Sequence, residues 1–136
     1  MSHVALLASD RPLPLYDPGV RRIRTSGRGG HAVTVEEDGF SVREHCYCRD
    51  AVDELGFSMM PCRYELDLRA TQQDADLLRG HLERNLAPGE QAELWSVWVP
   101  RCPEDGLARY RGRLEELDLE TVELLEQWNV CITVEA

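Results

Sequence analysis

Six segments between residues 62 and 136 follow the order strand, helix, strand, strand, helix, strand. Residues 63–69 alternate polar and apolar side chains, which indicates a strand with one solvated face. Thr71 is a good N-cap for the helix that follows, and residues 93–99 are rich in side chains that favour strands. The apolar positions of this helix recur at helical spacing and end before Pro88-Gly89: Ala75, Leu78, Leu82 and Leu86.

The second part of this pattern contains an alternating strand, a capped helix and a final strand. Residues 107–114 alternate again, Asp118 caps the second helix, and residues 130–135 form the last strand. Three apolar residues lie on the inward face of that helix: Val122, Leu125 and Trp128. This order is typical of the ferredoxin-like split βαβ arrangement. We therefore predict an antiparallel sheet in residues 62–136 with both helices on one face.

The predicted topology places the strands at 63–69 and 107–114 side by side. The solvated face of the first strand carries Glu65 and Asp67. Three arginines share one face of the second strand: Arg109, Arg111 and Arg113. Because opposite charges on neighbouring strands favour pairing, the charge pattern agrees with this topology.

The residues before position 62 contain a hairpin signal. Asp38-Gly39 separates residues 31–37 from residues 40–45, and an Asp-Gly pair favours a two-residue turn between strands. This register places Val35 opposite Val42 and Glu37 opposite Phe40. One face of the ribbon is then apolar, with Val33, Val35, Phe40 and Val42. We expect this N-terminal ribbon to extend or to cover the sheet of the second half.

Shorter elements are also predicted in the first half. We expect strands at residues 4–9 and 21–25, separated by proline-containing turns, and a flexible connection at residues 26–30. A short helix is predicted at residues 49–55, and Gly56 is its C-terminal stop.

Length and composition indicate one globular α+β domain, mainly antiparallel, that spans residues 1–136. The chain has 136 residues, of which 43% are hydrophobic, and this size is common for a single domain. Within it we distinguish a softer strand-and-turn half, 1–61, and a regular half, 62–136. No apolar run approaches the ~20 residues of a membrane span, and no basic leader is present, so we expect a cytoplasmic protein.

The charge of the chain argues against two classes of partner. There are 25 acidic residues and 15 basic ones, which gives a net charge of −10, and every basic residue is an arginine. Nucleic-acid binding and attachment to anionic membranes both depend on positive charge, so we expect neither. Cofactor motifs such as dinucleotide glycine fingerprints are also absent, and we expect no cofactor.

A weak metal-site signal lies in the middle of the chain. His45, Cys46 and Cys48 are close in sequence, and Cys62 follows, so these four residues are candidate ligands for a zinc or thiol site. The spacing is Cys-x-Cys, whereas structural zinc sites and redox motifs usually separate their cysteines by two or more residues. The alternative interpretation is that the cysteines are small buried hydrophobic residues.

A second candidate site is rich in arginine and glycine. The segment 26–31 can form an anion-binding nest of backbone N–H groups, and we assign the binding role to Arg24, Arg28 and His31. The arginines at 109, 111 and 113 are the other positive cluster of an acidic protein. The alternative interpretation is a solvated connection between strands.

Trp95 and Trp98 are three residues apart on one predicted strand, so they face opposite sides of the sheet. One indole is expected in the helix-covered core and the other on the face of the three arginines, where a cation–π contact or a ligand floor is possible. Alternatively, the first half of the chain packs over this second indole.

Three hypotheses of function follow from these patterns. The first is a non-enzymatic binding or protein-interaction module that forms a homo-oligomer or binds a protein partner. The second is a small enzyme or anion-binding protein that uses the arginine- and glycine-rich segment. The third is the zinc or thiol site at His45, Cys46, Cys48 and Cys62.

Overall fold

The computed structural model describes residues 2–18, 22–28, 31–37, 40–100, 106–127 and 129–136, and within 22–28 and 31–37 it describes the backbone. The strands are β1 Ser2–Ser9, β2 Arg22–Arg28, β3 His31–Glu37, β4 Ser41–Glu44, β5 Cys62–Asp67, β6 Gln91–Val99, β7 Ala108–Arg113 and β8 Val130–Glu135. The α-helices are α1 Arg49–Glu54, α2 Gln72–Asn85 and α3 Leu119–Leu124, with a 3₁₀ turn at Leu114–Glu116. These elements confirm a mixed α+β class.

The main sheet has six strands in the order β4-β5-β1-β6-β8-β7. Four of the neighbouring pairs are antiparallel, and β7 runs parallel to β8. β1 lies near the centre because its Val4–Ala8 segment is apolar on both faces, and such a strand is stable only when both faces are covered. β2 and β3 form a separate two-stranded sheet.

This order differs from the predicted ferredoxin-like arrangement. β5 lies between β4 and β1, and β7 lies at the opposite edge of the sheet, so the two strands that we expected side by side are far apart. The physical reason is the apolar strand β1, which lies between β5 and β6. The prediction had built the sheet from strands of residues 62–136 only. Glu65 therefore lies opposite Leu6 of β1 and Arg43 of β4, and it does not lie opposite the arginines of β7.

Helices cover both faces of the sheet, whereas we expected them on one face. α2 and α3 lie over one face, here called the α2 face, where Leu78, Leu82 and Val122 pack on Leu94 and Ile132 of the sheet. The opposite face, here called the α1 face, is covered by α1 and the residues that follow it. There Val52, Leu55, Phe57 and Met60 pack on a cluster of sheet residues, namely Val4, Leu6, Ala8, Trp95, Val97, Val99 and Cys131.

The hairpin register predicted around Asp38-Gly39 is wrong. β3 pairs with β2, with Arg28 opposite His31, and β4 pairs with β5, with Val42 opposite Leu66. Asp38 and Gly39 themselves lie outside the described residues. Phe40 and Val42 are buried in the core of the α2 face because their neighbour is the main sheet.

Local signals for helix ends are confirmed. The Thr71 side chain accepts a hydrogen bond from the backbone N–H of Asp74, and Asp118 forms a capping box with Thr121. Gly56, which follows the C-cap residue Leu55 of α1, adopts φ +73°, which glycine accepts at little cost. Trp128, predicted to face inward, lies outside the described residues. Among the helices that are described, none is both long and apolar enough to cross a membrane.

Candidate functional site

The two tryptophans of β6 lie on opposite faces, as the strand period requires. Trp95 is fully buried on the α1 face, where its ring stacks with that of Phe57 at 5.7 Å between centroids. Its indole Nε1 donates to the Glu93 carboxylate at 3.2 Å. Trp98 is half-buried on the other face, with its ring 5.5 Å from that of His3. Trp95 is thus a core residue, and the first half of the chain covers it.

The arginines of β7 share the α1 face with Trp95. The Arg109 guanidinium lies over the indole of Trp95, 5.8 Å from its centroid, in a cation–π contact. Arg113 Nε pairs with Glu115 at 3.1 Å, and both side chains are largely exposed. Arg111 is exposed and makes no ion pair or side-chain hydrogen bond with any described residue. These three residues are here called the arginine edge.

The peptide groups of the arginine edge also point away from the sheet. The N–H of Ala108 donates to the carbonyl of Asn129, next to β8, at 2.9 Å, so Ala108 directs its peptide groups toward β8. Because peptide directions alternate along a strand, Arg109, Arg111 and Arg113 direct their N–H and C=O groups away from the sheet. No strand in the described ranges pairs with this outer side of β7.

The two edge strands of the main sheet, β4 and β7, differ in whether another segment covers them. At the β4 edge, Tyr16 and Val42 exchange two backbone hydrogen bonds of 2.9 and 2.7 Å, and the segment around Tyr16 covers the strand. At the β7 edge the side chains are exposed from Ala108 to Arg111. An uncovered edge is a template for another strand.

A groove of about 270 Å³ continues the β7 edge at its C-terminal end. Its lining combines apolar and charged residues, namely Leu86, Pro88, Leu114 and Ala136 with Arg113, Glu83, Glu115 and Glu135. The groove is continuous with β7, because Arg113 at the end of the strand and Leu114 directly after it form part of its wall.

No family model, no curated protein and no solved structure matches this chain. Its function is therefore argued from the arrangement of its own residues.

The predicted arginine- and glycine-rich site lies on the two-stranded sheet formed by β2 and β3. Arg24 and Arg28 are on β2 and His31 begins β3, with Arg28 opposite His31 and Arg24 opposite Val35. Their side chains lie outside the described part of the structure. The six-stranded sheet holds the arginine edge and the two-stranded sheet holds these three residues, so the two clusters lie in different sheets.

The four candidate metal ligands are not gathered into one group. His45 is buried next to α1, Cys46 is exposed, and Cys48 begins α1 as its N-cap. Cys62 is the first residue of β5 and lies opposite Ser9. Within the described ranges, no three histidine, cysteine, aspartate or glutamate side chains lie close enough to hold a metal ion. The zinc hypothesis has no geometric support.

Glu93 was not predicted from the sequence, yet it connects the sheet to the segment that covers the α1 face. The residue is 9% exposed, and its Oε1 accepts hydrogen bonds from the Met60 N–H at 2.8 Å and from Trp95 Nε1. The available signal was a carboxylate inside an otherwise apolar strand, since buried charges are retained where they have hydrogen-bond partners.

Proposed function

We propose that the protein is a non-enzymatic interaction module that binds an extended acidic segment of a partner protein along the outer side of β7. The main support is the arginine edge. At Arg109, Arg111 and Arg113, outward-facing peptide groups and positive side chains occur on the same residues. An added strand takes its affinity from the peptide groups and its specificity from the alternate side chains.

Charge complementarity favours an acidic occupant. In an antiparallel pair, each outward residue of β7 faces one residue of the added strand, and the two side chains share a face. Acidic side chains at alternate positions of the partner then lie beside the three arginines. The chain carries a net charge of −10, so the three arginines are a local positive exception on an acidic protein, and they attract an acidic segment at short range.

A second copy of β7 is a poor occupant of the same edge. Any two-fold symmetric pairing of two β7 strands joins outward residues to outward residues, so arginine lies directly opposite arginine. Like charges directly opposite each other destabilise a strand pair. The same arginines protect the edge from self-pairing, as charged residues do on other edge strands.

The groove at the end of β7 adds a preference for one apolar residue. Leu114 and Ala136 form part of its lining, and Arg113 is the last residue of the arginine edge. We therefore expect a binding segment that alternates acidic and strand-favouring residues and ends in a leucine-sized side chain.

The test is fluorescence anisotropy with a labelled peptide in which glutamate alternates with valine or threonine and the last residue is leucine. We expect saturable binding that weakens with salt and is lost when glutamine replaces the glutamates. Arg111→Glu should weaken binding by about tenfold or more, since it places like charges together. Arg84→Glu, the same charge change at an exposed site on α2, is the matched control and should cost far less.

Two further measurements separate strand addition from simple charge attraction. Arg111→Pro removes an outward N–H and leaves the β7–β8 hydrogen bonds in place, so it should abolish binding while the thermal unfolding temperature changes little. Bound peptide should slow hydrogen exchange at the amide groups of Arg109 and Arg111.

Three results contradict the proposal. They are binding that Arg111→Pro leaves intact, tighter binding of a single-stranded oligonucleotide than of the acidic peptide, and a dimer that Arg111→Pro dissociates in sedimentation experiments.

A further inference from the structure

The three residues of the arginine edge differ in what holds their guanidinium groups. The guanidinium of Arg109 lies over the indole of Trp95, 5.8 Å from the ring centroid. Arg113 donates from Nε to the Glu115 carboxylate at 3.1 Å. Arg111 is exposed and has no ion pair with a described residue. An acid of this chain therefore already occupies the last arginine of the edge.

The 3₁₀ turn that follows β7 holds this acid in place. Leu114 and Leu117 are both buried, and a hydrogen bond of 3.0 Å from the Leu117 N–H to the Leu114 carbonyl closes the turn. These two buried residues fix the backbone on both sides of Glu115, whose side chain is exposed. Because it is tethered in this way, the carboxylate is present beside Arg113 at a high effective concentration.

Glu115 offers Arg113 the same chemical group that an acidic partner offers. A carboxylate binds a guanidinium best through two parallel N–H donors. Glu115 takes the Nε–H, which is one donor of the side-on pair, and it compensates the positive charge. The side chains of Arg113 and Glu115 are 60% and 70% exposed, so their ion pair is weak enough for a partner to displace.

We propose that Glu115 is an internal competitor for Arg113 and thereby determines which acid of a bound segment contributes most to its affinity. This inference rests on the proposed function, since it concerns the acidic segment at the arginine edge. An acid that faces Arg111 meets an arginine without a competing carboxylate. An acid that faces Arg113 must first displace Glu115, so it contributes less. The edge therefore selects segments mainly by their central acid.

Glu116 provides a matched control on the same turn. It is exposed, and its carboxylate has no ion pair with Arg113 or with any other described residue. Replacement of either glutamate by glutamine removes one negative charge close to the edge. Only Glu115→Gln also removes the carboxylate from the Arg113 Nε–H. The difference between the two variants therefore measures the competition, separately from the general effect of charge.

The experiment is fluorescence anisotropy with the labelled peptide in which glutamate alternates with valine or threonine and the last residue is leucine. We expect Glu115→Gln to tighten binding by about two- to fivefold, the range of an exposed ion pair, and Glu116→Gln to tighten it much less. When Arg113→Gln is also present, the effect of Glu115→Gln should fall to that of Glu116→Gln, because the competitor has lost its target.

Peptide variants test the selection by position. In the unaltered protein, glutamine at the central glutamate should weaken binding more than glutamine at the glutamate nearest to the leucine, which faces Arg113. In Glu115→Gln the two losses should become similar. Without peptide, the Arg113 Nε–H signal in NMR spectra should shift in Glu115→Gln and stay in place in Glu116→Gln.

Equal affinities of Glu115→Gln and Glu116→Gln for the peptide would overturn this inference and leave the proposed function standing. An effect of Glu115→Gln that persists in the presence of Arg113→Gln has the same meaning, as does an Arg113 Nε–H signal that Glu115→Gln does not shift. If neither the unaltered protein nor Glu115→Gln binds the peptide, the proposed function and this inference are both overturned.

Discussion

Glu93 and Trp95, two residues apart on β6, are joined by a hydrogen bond of 3.2 Å from the indole Nε1 to the carboxylate Oε1. The same oxygen accepts the Met60 N–H at 2.8 Å. One buried carboxylate therefore holds a core indole on one side and the segment that covers the α1 face on the other.

Replacement of this carboxylate should destabilise the protein. We expect Glu93→Ala to lower the free energy of unfolding by about 2–3 kcal/mol, because two donors lose a charged acceptor. Glu93→Gln keeps an acceptor oxygen and should cost less than half of that. Urea unfolding of both variants measures the difference, and equal losses for alanine and glutamine would contradict the role of the oxygen.

Two arginines of β7 should differ in their effect on stability. Arg109→Ala should lower the free energy of unfolding by about 0.5–1 kcal/mol, because the guanidinium lies over the Trp95 ring. Arg111→Ala should change it by less than about 0.5 kcal/mol, since its side chain is exposed. Thermal and urea unfolding of the two variants side by side tests this order, and a larger loss for Arg111→Ala refutes it.

His81 should make stability fall as the pH decreases. Burial lowers the pKa of His81 below 6.5, with Arg84 as a smaller cause in the same direction, while the hydrogen bond to the Pro14 carbonyl acts in the opposite direction. The unfolded chain then binds more protons than the folded protein, so stability is complete above pH 6.5 and is lost as the pH falls toward the lowered pKa.

The measurement for His81 is urea unfolding at pH 7.5 and pH 5.5. The unaltered protein should lose more stability between these values than His81→Leu does. His3 and His45 shift in the same direction, so the variant should retain part of the dependence. An unchanged dependence in His81→Leu would show that the ring does not titrate in this range.

The cysteines should react in an order set by burial. Burial and the nearby Glu93 carboxylate raise the pKa of the Cys131 thiol to about 11, so at pH 8 about one molecule in a thousand carries the thiolate. Cys46 is exposed. Iodoacetamide labelling followed by mass spectrometry of the native protein should modify Cys46 first and Cys131 only after unfolding. Rapid labelling of native Cys131 would contradict its burial.

Local elements were predictable because their signals lie within a few residues. Thr71, Asp118 and Gly56 mark helix ends through hydrogen bonds and backbone angles that involve their immediate neighbours. The strand at 130–135 was also predicted, and the structure has β8 at Val130–Glu135. Such contacts depend little on the rest of the chain.

Strand partners were not predictable in the same way. The turn signal at Asp38-Gly39 competed with Gly29-Gly30, which separates β2 from β3 and is also a favourable two-residue hairpin sequence. The choice depends on where Phe40 and Val42 find cover, and that is the main sheet under α2. Sequence periodicity shows which face of a strand is apolar, and it does not show which strand lies beside it.

The candidate sites show the same difference between local features, which were predictable, and strand partners, which were not. The sequence placed Arg109, Arg111 and Arg113 on one face of a strand and predicted an arginine–indole contact, which Arg109 makes with Trp95. That β7 is an edge strand follows from the sheet order alone. The pocket of about 230 Å³ lined by residues of β1, β4 and β5 could not be predicted, because it requires three strands that are distant in sequence to meet.

The position of β1 has a consequence for folding during synthesis. β1 is translated before both of its neighbours, and it pairs with β5, about 60 residues later, and with β6, about 90 residues later. Until Val99 has left the ribosome, the five-residue apolar stretch of β1 has no complete place in the sheet. The nascent chain must therefore keep this apolar segment away from other strands while about 90 further residues are synthesised.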